Sequence, residues 1–256
     1  MTQSSQHLPL AAVVMAAGQG KRMQDPTKPK VLYPIAGKPL VSYVVALCQE
    51  LGCDRTIVII GYGREQVAAY LQETFPNVET AIQDQQLGTG HAVQQAEPAL
   101  ADFNGDILVL SGDVPLLKLG TAQSLIAEHR TRNALATVLT VDLENPHGYG
   151  RIVRTGETSL ERIVEEKDAT DDIRQIREIN SGIYVFNAQA LFPALKGLKN
   201  QNAQGEFYLT DVFASIIASH GSDRVAVFKG SDPIEVSGVN TKDQLLELES
   251  EYLARA

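Results

Sequence analysis

Lys21, Arg22, Lys28 and Lys30 place four positive charges within ten residues of a chain whose formal net charge is −9. They lie in and just after the glycine-bearing stretch Met15-Ala16-Ala17-Gly18-Gln19-Gly20-Lys21-Arg22-Met23. Glycines let the main chain come close to a ligand, and turned N–H groups form a nest for an anion. That concentration of charge suits a polyphosphate, although a surface turn with solvated lysines reads the same way. The stretch is not a P-loop, because no Gly-Lys-Ser/Thr closes it. It is not the dinucleotide fingerprint either, because Met23 holds the third glycine position.

Two further segments carry chemistry. Ser111-Gly112-Asp113-Val114-Pro115 follows the apolar run Asp106-Ile107-Leu108-Val109-Leu110, which places a carboxylate just past the end of a strand. Open α/β sheets bind ligands there, and one such carboxylate can hold Mg²⁺ together with phosphates and waters. A tight Gly-Asp turn before Pro115 is the plain alternative. In Gln83-Asp84-Gln85-Gln86-Leu87-Gly88-Thr89-Gly90-His91, a Gln amide offers a donor and acceptors that match the edge of a uracil ring. The plain alternative is a polar loop whose Thr89 N-caps the next helix.

The elements that must position these residues read as alternating strands and helices. Strands are expected at Leu10–Met15, Thr56–Ile60, about Thr80–Gln83, Asp106–Leu110 and Ala136–Val141. Helices are expected at Pro39–Leu51, about Arg64–Leu71, near His91–Ala99 and near Thr121–His129. That order predicts a Rossmann-like α/β fold, a mostly parallel sheet with helices on both faces. The rhythm then changes. Ile152–Val153 and Leu160–Val164 read as paired strands and Glu178–Phe186 as a long strand. Leu209–Ser219 reads as a helix, Val225–Phe228 as a strand and Thr241–Leu253 as a closing helix. With no repeat or linker, 256 residues are expected to form one domain. Residues of about 10–145 would be its nucleotide-binding part, about 146–240 a smaller β-rich sugar-binding part, and 241–256 the closing helix.

Composition excludes several classes. The acidic balance argues against coating nucleic acid or an anionic membrane by bulk charge. No apolar run reaches the length of a transmembrane helix, and Met1–Pro9 has no basic segment of a signal peptide. Cys48 and Cys53 cannot build a disulfide scaffold or, alone, a zinc site. They read as small apolar residues at a helix end in a reducing compartment, so a cytoplasmic location is expected. The five histidines are scattered and read as non-catalytic.

Taken together, the Met15 loop, Pro29-Lys30-Val31-Leu32, Gln83 to His91 and Gly112-Asp113-Val114-Pro115 resemble the sugar-1-phosphate nucleotidyltransferases. Later segments narrow the likeness: Gly148-Tyr149-Gly150-Arg151-Ile152, Ile163 to Thr170, Glu178 to Ile183, Asn202 to Asp211 and Glu235 to Asn240. In this order and spacing they are similar to the uridyltransferase part of the bacterial bifunctional N-acetylglucosamine-1-phosphate uridyltransferases. The likeness spans about Leu10 to Leu248. It implies a GT-A-like fold and Mg²⁺-dependent transfer from UTP to N-acetylglucosamine 1-phosphate.

The resemblance also implies roles by position. Met15, Ala16, Ala17 and Gly18 would wrap the nucleotide, with Ser111 and Gly112 beside it, and Gln83, Gly88 and Thr89 would hold the uracil. Arg22 and Lys30 would contact the triphosphate, and Asp113 and Asn240 would bind Mg²⁺, so that Arg22, Lys30 and Asp113 form the catalytic set. Gly150, Glu165 and Asn180 would hold the sugar, with Tyr208 and Thr210 lining its pocket. Some of these have plain readings as well. Asn240 could N-cap the last helix with Asp243, and Glu165 could pair with Lys167 on a strand face. Asn180 in an apolar strand needs buried partners.

Two departures from the family pattern stand out. The spacing from Arg22 to Lys30 is one residue longer than usual, and Ser111 stands where an aromatic residue is common. Many glucose-type relatives carry Glu-Lys-Pro where this chain has Glu165-Glu166-Lys167-Asp168, which favours the N-acetylglucosamine reading over glucose 1-phosphate. A non-catalytic nucleotide-sugar sensor is the reading from another class. The chain ends at Ala256, before any hexapeptide β-helix. No acetyl transfer, no β-helix trimer and a monomer or homodimer are therefore the expectations.

Overall fold

The computed structural model describes residues 8–156 and 159–255. The polar opening stretch through residue 7 and the last residue of the expected closing helix lie outside them. The first half runs β1 (Leu10–Ala16), the two-residue pair β2 (Pro34–Ile35) and β3 (Lys38–Pro39), α1 (Leu40–Glu50), β4 (Arg55–Ile60) and α2 (Arg64–Thr74). It continues with β5 (Glu79–Ile82), α3 (Thr89–Gln94), β6 (Asp106–Ser111), α4 (Leu119–Thr131) and β7 (Ala136–Asp142). The second half runs β8 (Arg151–Thr155), β9 (Ser159–Val164), α5 (Asp171–Arg174), β10 (Glu178–Asn187) and α6 (Ala188–Lys196). It closes with α7 (Asp211–His220), β11 (Val225–Lys229) and α8 (Lys242–Arg255).

The main sheet has the order β11-β7-β10-β6-β1-β4-β5. β1 pairs in parallel with both β4 and β6, β4 with β5, and β11 with β7. β10 is inserted antiparallel between β6 and β7, and the β8–β9 hairpin branches from its beginning. The mostly parallel α/β sheet is thus present, with a small antiparallel excursion.

Alternation along the strands divides the core. Ala11, Val13, Ile57, Ile59, Ile107 and Val109 pack on one face with α3, α6 and α7. Leu10, Ala12, Val14, Val58, Ile60, Leu108 and Leu110 pack on the other with α1, α2 and α4. Strands buried on both faces need the continuous apolar runs seen in the sequence. A third, smaller cluster joins Met23, Ile35 and Leu40 to Val239 and Leu248, so it ties the basic loop to α8.

Several local expectations need correction. The helix near His91–Ala99 is only α3, and the chain runs on as turns to residue 102, held by bonds such as Ala96 N–H to the Val93 carbonyl at 3.0 Å. The helix expected from Leu209 begins at Asp211. α6 was not anticipated. It starts directly after β10, with Asn187 accepting from the Gln189 N–H at 3.1 Å as its cap. Cys48 and Cys53 do lie at the end of α1. There Cys53 N–H donates to the Cys48 carbonyl at 3.1 Å around Gly52, whose φ is +70°. This is a Schellman closure.

Candidate functional site

The parallel pairing brings four strand ends to one edge. Met15 is in register with Ser111, Ala16 with Ile60, and Ile60 with Ile82. The chain is then stitched beyond the strands. Gly112 N–H donates to the Met15 carbonyl at 2.9 Å, Tyr62 N–H to that of Ala17 at 3.1 Å, and Gln83 N–H to that of Ile60 at 2.8 Å. Gly61 is needed here, because a Cβ on it would lie 2.9 Å from the Ala17 Cβ and 3.0 Å from the Gln83 carbonyl.

These ends form a hollow of about 240 Å³. Met15, Ala16, Ala17, Gly18, Gln83, Gly88, Thr89 and Ser111 all line it, together with Lys30 and Asp113. Gly112 is buried and is not in the wall. Gln86, Ala92 and Glu206 also line the hollow and were not anticipated. Glu206 comes from a segment distant in sequence that packs onto the Gly88 turn. Phe207 N–H donates to the Leu87 carbonyl, and Gly90 N–H donates to the Phe207 carbonyl, both at 2.8 Å. Gly88 has φ +115°, and a Cβ there would come 2.6 Å from the Phe207 carbonyl. Thr89 does not cap α3. Its hydroxyl accepts from the Leu209 N–H at 3.0 Å, which ties the same two segments together.

At the cationic end, the Lys30 ammonium bonds the Asp113 carboxylate and reaches the Asn240 side-chain oxygen at 3.1 Å. Val239 N–H donates to the Asp113 carbonyl at 3.0 Å, which sets Asn240 beside it. Asn240 is not the cap of α8. Thr241 Oγ1 accepts from the Gln244 N–H at 3.2 Å, and the Gln244 side-chain Oε1 accepts from the Asn240 N–H at 2.8 Å. The Asn240 side chain is thereby left for Lys30, and Asp243 takes no part.

The basic cluster is divided. Lys28 lies 5.0 Å from the centre of the Tyr33 ring. Arg22 is exposed on a 3-10 turn, Lys21–Met23, makes no ion pair among the described residues, and does not line the hollow. The turn aims Met23 into the third core cluster, which points Arg22 outward. Asp25 fixes the following bend. The Thr27 hydroxyl and N–H and the Tyr33 hydroxyl donate to its carboxylate and hold its pKa down at about 2.

A second hollow of about 200 Å³ adjoins the first and shares Met15, Thr89 and Ser111 with it. Gly150, Glu165 and Asn180 line it, with Tyr149, Ser181 and Gly182. β10 runs antiparallel, so its beginning lies at the edge where the parallel strands end. A register shift between Asn180 and Tyr184 bends it there, with Gly182 at φ +78°. The Asn180 amide donates to the Tyr184 hydroxyl at 2.8 Å and accepts from the Gly182 N–H at 3.2 Å. Those are the partners a buried amide requires.

Glu165 does not pair with Lys167. It accepts from the Thr210 hydroxyl at 3.0 Å. Burial pushes its carboxyl pKa up, and the neighbouring carboxylates of Asp211, Asp168 and Glu206 push in the same direction. Tyr208 and Thr210 stand behind the wall of this hollow and not in it. The Tyr208 hydroxyl bonds Asp168 at 3.1 Å, and burial raises its pKa to about 12. Arg151, 2% exposed, braces the hollow from below. It donates to the Tyr149 carbonyl and pairs with Glu166 at 2.8 Å, which clamps the Gly150 turn to the Glu165 segment.

The whole arrangement is a trough with an acceptor-rich end and a cationic end. It can hold one molecule rich in phosphate and a second, hydroxyl-rich molecule in contact with it. Among the described residues no helix is long and apolar enough to cross a membrane.

Comparison with known proteins follows from this geometry. A family model described as "Nucleotidyl transferase" matches residues 11–236. The "Bifunctional protein GlmU" of Syntrophotalea carbinolica is 49% identical over 94% of this chain and 51% of its own length. The protein of that name in Pelotomaculum thermopropionicum is 47% identical over 96% of this chain and 52% of its own length. The chain spans about half the length of the curated relatives it matches. A solved structure of UDP-glucose pyrophosphorylase complexed with UDP-glucose superposes with a TM-score of 0.73 at 19% identity, covering 97% of this chain and 100% of that one. That likeness bears on the fold.

Proposed function

The chain belongs to the nucleotidyl transferase family, and on that premise we propose that it joins UTP and N-acetylglucosamine 1-phosphate, giving UDP-N-acetylglucosamine and pyrophosphate. One observation carries the reading: the two hollows are contiguous through Met15, Thr89 and Ser111, with the Lys30–Asp113–Asn240 cluster beside the first. The first accommodates the nucleotide and the second the sugar phosphate, which brings the two reacting phosphates together.

No side-chain nucleophile is required. A phosphate monoester has its second pKa near ~6, so its oxygen is already ionised at neutral pH. The obstacle is repulsion between two anions. Lys30 offsets it, and Arg22, exposed on its turn and outside the hollow, would add a second positive charge only if that turn moved toward the triphosphate. Asp113 and Asn240 fit a hard divalent cation, because both offer oxygen donors that already converge on one cationic centre, the Lys30 ammonium. Mg²⁺ takes few protein oxygens and completes its shell with phosphates and water, so the small donor set suits it. When bound there it would neutralise phosphate charge and orient the triphosphate. Fixing both substrates in one trough supplies much of the remaining rate advantage.

At the sugar end, Glu165 and Asn180 present an acceptor and a donor to hydroxyl and acetamido groups. The resemblance of the Glu165 segment to the N-acetylglucosamine type supports that sugar over glucose. The test is a pyrophosphate-release panel with Mg²⁺, crossing UTP, dTTP, CTP and ATP with N-acetylglucosamine 1-phosphate, glucose 1-phosphate and other sugar 1-phosphates. UTP with N-acetylglucosamine 1-phosphate is expected to be the best pair. No product from that pair beside brisk turnover of another would overturn the assignment.

A further inference from the structure

His91, on α3, and the exposed Asp84 are the titratable residues of the base-side loop that the proposed chemistry leaves idle, and of the two His91 touches Gln83. It is half-buried, and its Nδ1 lies 3.1 Å from Gln83 Nε2. The same Nε2 donates to the Gly88 carbonyl at 3.1 Å. A carbonyl can only accept, so the Gln83 atom facing Gly88 is the NH₂ group. Its second N–H then points at His91, whose Nδ1 has to accept, and the imidazole carries its proton on Nε2.

Both N–H bonds of Gln83 are therefore engaged within the protein. Gln83 is 4% exposed and lines the first hollow, and no described group donates to its Oε1. The amide that the sequence offers as donor and acceptor is presented to the hollow as an acceptor alone. Such an edge matches a base with a ring N–H. Uracil and thymine carry one at N3, as guanine does at N1, whereas cytosine N3 and adenine N1 are themselves acceptors, and those bases can offer Gln83 only an exocyclic amino group from a shifted position.

We infer that His91 is a positioning residue that sets base choice: by accepting from Gln83 it holds the amide in the orientation that accepts from the uracil N3–H and gives cytosine N3 no donor. The inference rests on the uridylyl reading above. It assigns His91 no contact with the base.

The test compares wild type with His91→Phe, which keeps a ring and removes the acceptor, and His91→Asn, whose Oδ1 can replace Nδ1. UTP and CTP are titrated calorimetrically with Mg²⁺, and the ratio of their affinities is read. In His91→Phe the preference for UTP is expected to shrink roughly tenfold, the scale of one lost hydrogen bond, while His91→Asn keeps most of it. The ¹⁵N shifts of the His91 ring in the wild-type protein supply a readout independent of either variant, and an unprotonated Nδ1 is expected. A wild type that prefers UTP, with His91→Phe keeping the whole ratio, overturns the role of His91 alone. A wild type that does not distinguish UTP from CTP overturns the uridylyl reading along with it. A ring protonated on Nδ1 overturns the lock whatever the affinities.

Discussion

Along the first hollow, the one proposed for the nucleotide, Met15 to Gly18 and Gly88 offer main chain, fixed by the register of strands buried on both faces. Along the second hollow, the one proposed for the sugar phosphate, Glu165 and Asn180 offer side chains, fixed by hydrogen bonds to Thr210, Tyr184 and Gly182 around a bulged strand. The main-chain part of the first wall changes only if the backbone moves. The second can be altered by exchanging one side chain while the sheet stays as it is. A scaffold of this kind holds its nucleotide chemistry constant and leaves its second substrate open to substitution.

The largest expected effect lies at the cationic end of the first hollow. Asp113→Ala should lower turnover by ~10²–10³ or more, the scale of losing an oriented electrostatic group, with an unchanged circular dichroism spectrum. Near-normal turnover would remove the cationic cluster from the mechanism. Asn240→Ala should also lose turnover. Because the α8 cap is formed by Thr241 and Gln244, its melting temperature should stay close to wild type.

Next comes the main-chain wall. Gly88→Ala puts a Cβ 2.6 Å from the Phe207 carbonyl at a φ of +115°. It should cost about 1–3 kcal/mol of stability, the usual scale of a strained backbone position, read as a lower urea midpoint. A variant as stable as wild type would break the contrast between the walls.

Glu165→Gln tests the other side. The KM for the sugar phosphate should rise about tenfold, as for a lost hydrogen bond to a charged group, with the KM for UTP unchanged. Its stability should move the opposite way. Burial raises the Glu165 carboxyl pKa, so the folded state favours the protonated form. The stabilising contribution of that proton is full below the unfolded pKa and is lost as pH rises through the folded pKa. Glu165→Gln should therefore melt higher than wild type at pH 8, by on the order of 2–4 °C per kcal/mol relieved. The gap should close as pH falls toward 4, the ordinary carboxylate range. The smallest effect belongs outside both walls. Arg255→Ala removes exposed pairs with Asp232 and Glu251, and should leave turnover and melting temperature within error.

The same contrast governs what could be read before folding. Thr56–Ile60 and Asp106–Leu110 are continuous apolar runs bounded by glycine or polar residues, and each became a strand within a residue of its expected limits. Glycine marked the main-chain wall only in part: a Cβ on Gly61 or Gly88 would strike its neighbours, whereas Gly18 has open space around it. Direction is not written locally, so nothing in Glu178–Asn187 marks β10 as the antiparallel strand. α6 escaped because it follows β10 without a loop and carries Pro193 inside nine residues. Arg22 escaped because Ile35, Val239 and Leu248 decide where Met23 turns, and two of those lie at the far end of the chain. Tyr208 and Thr210 were found as a segment. Which side chains face the hollow and which stand behind it depends on Glu165 and Asp168, some 40 residues away.

The cluster that joins the basic loop to α8 also sets a timetable. Lys30 meets Asn240 across 210 positions, and the Ala36 N–H meets the Glu249 carboxylate across 213. During synthesis at ~5–20 residues per second, the lysine exists for roughly 10–40 s before the partner that aims it. Closures of such span are also among the slowest to form once both ends are present. An early-made part of the site is thus the last to be set, and a half-grown chain carries the loop without the arrangement that could act on a triphosphate.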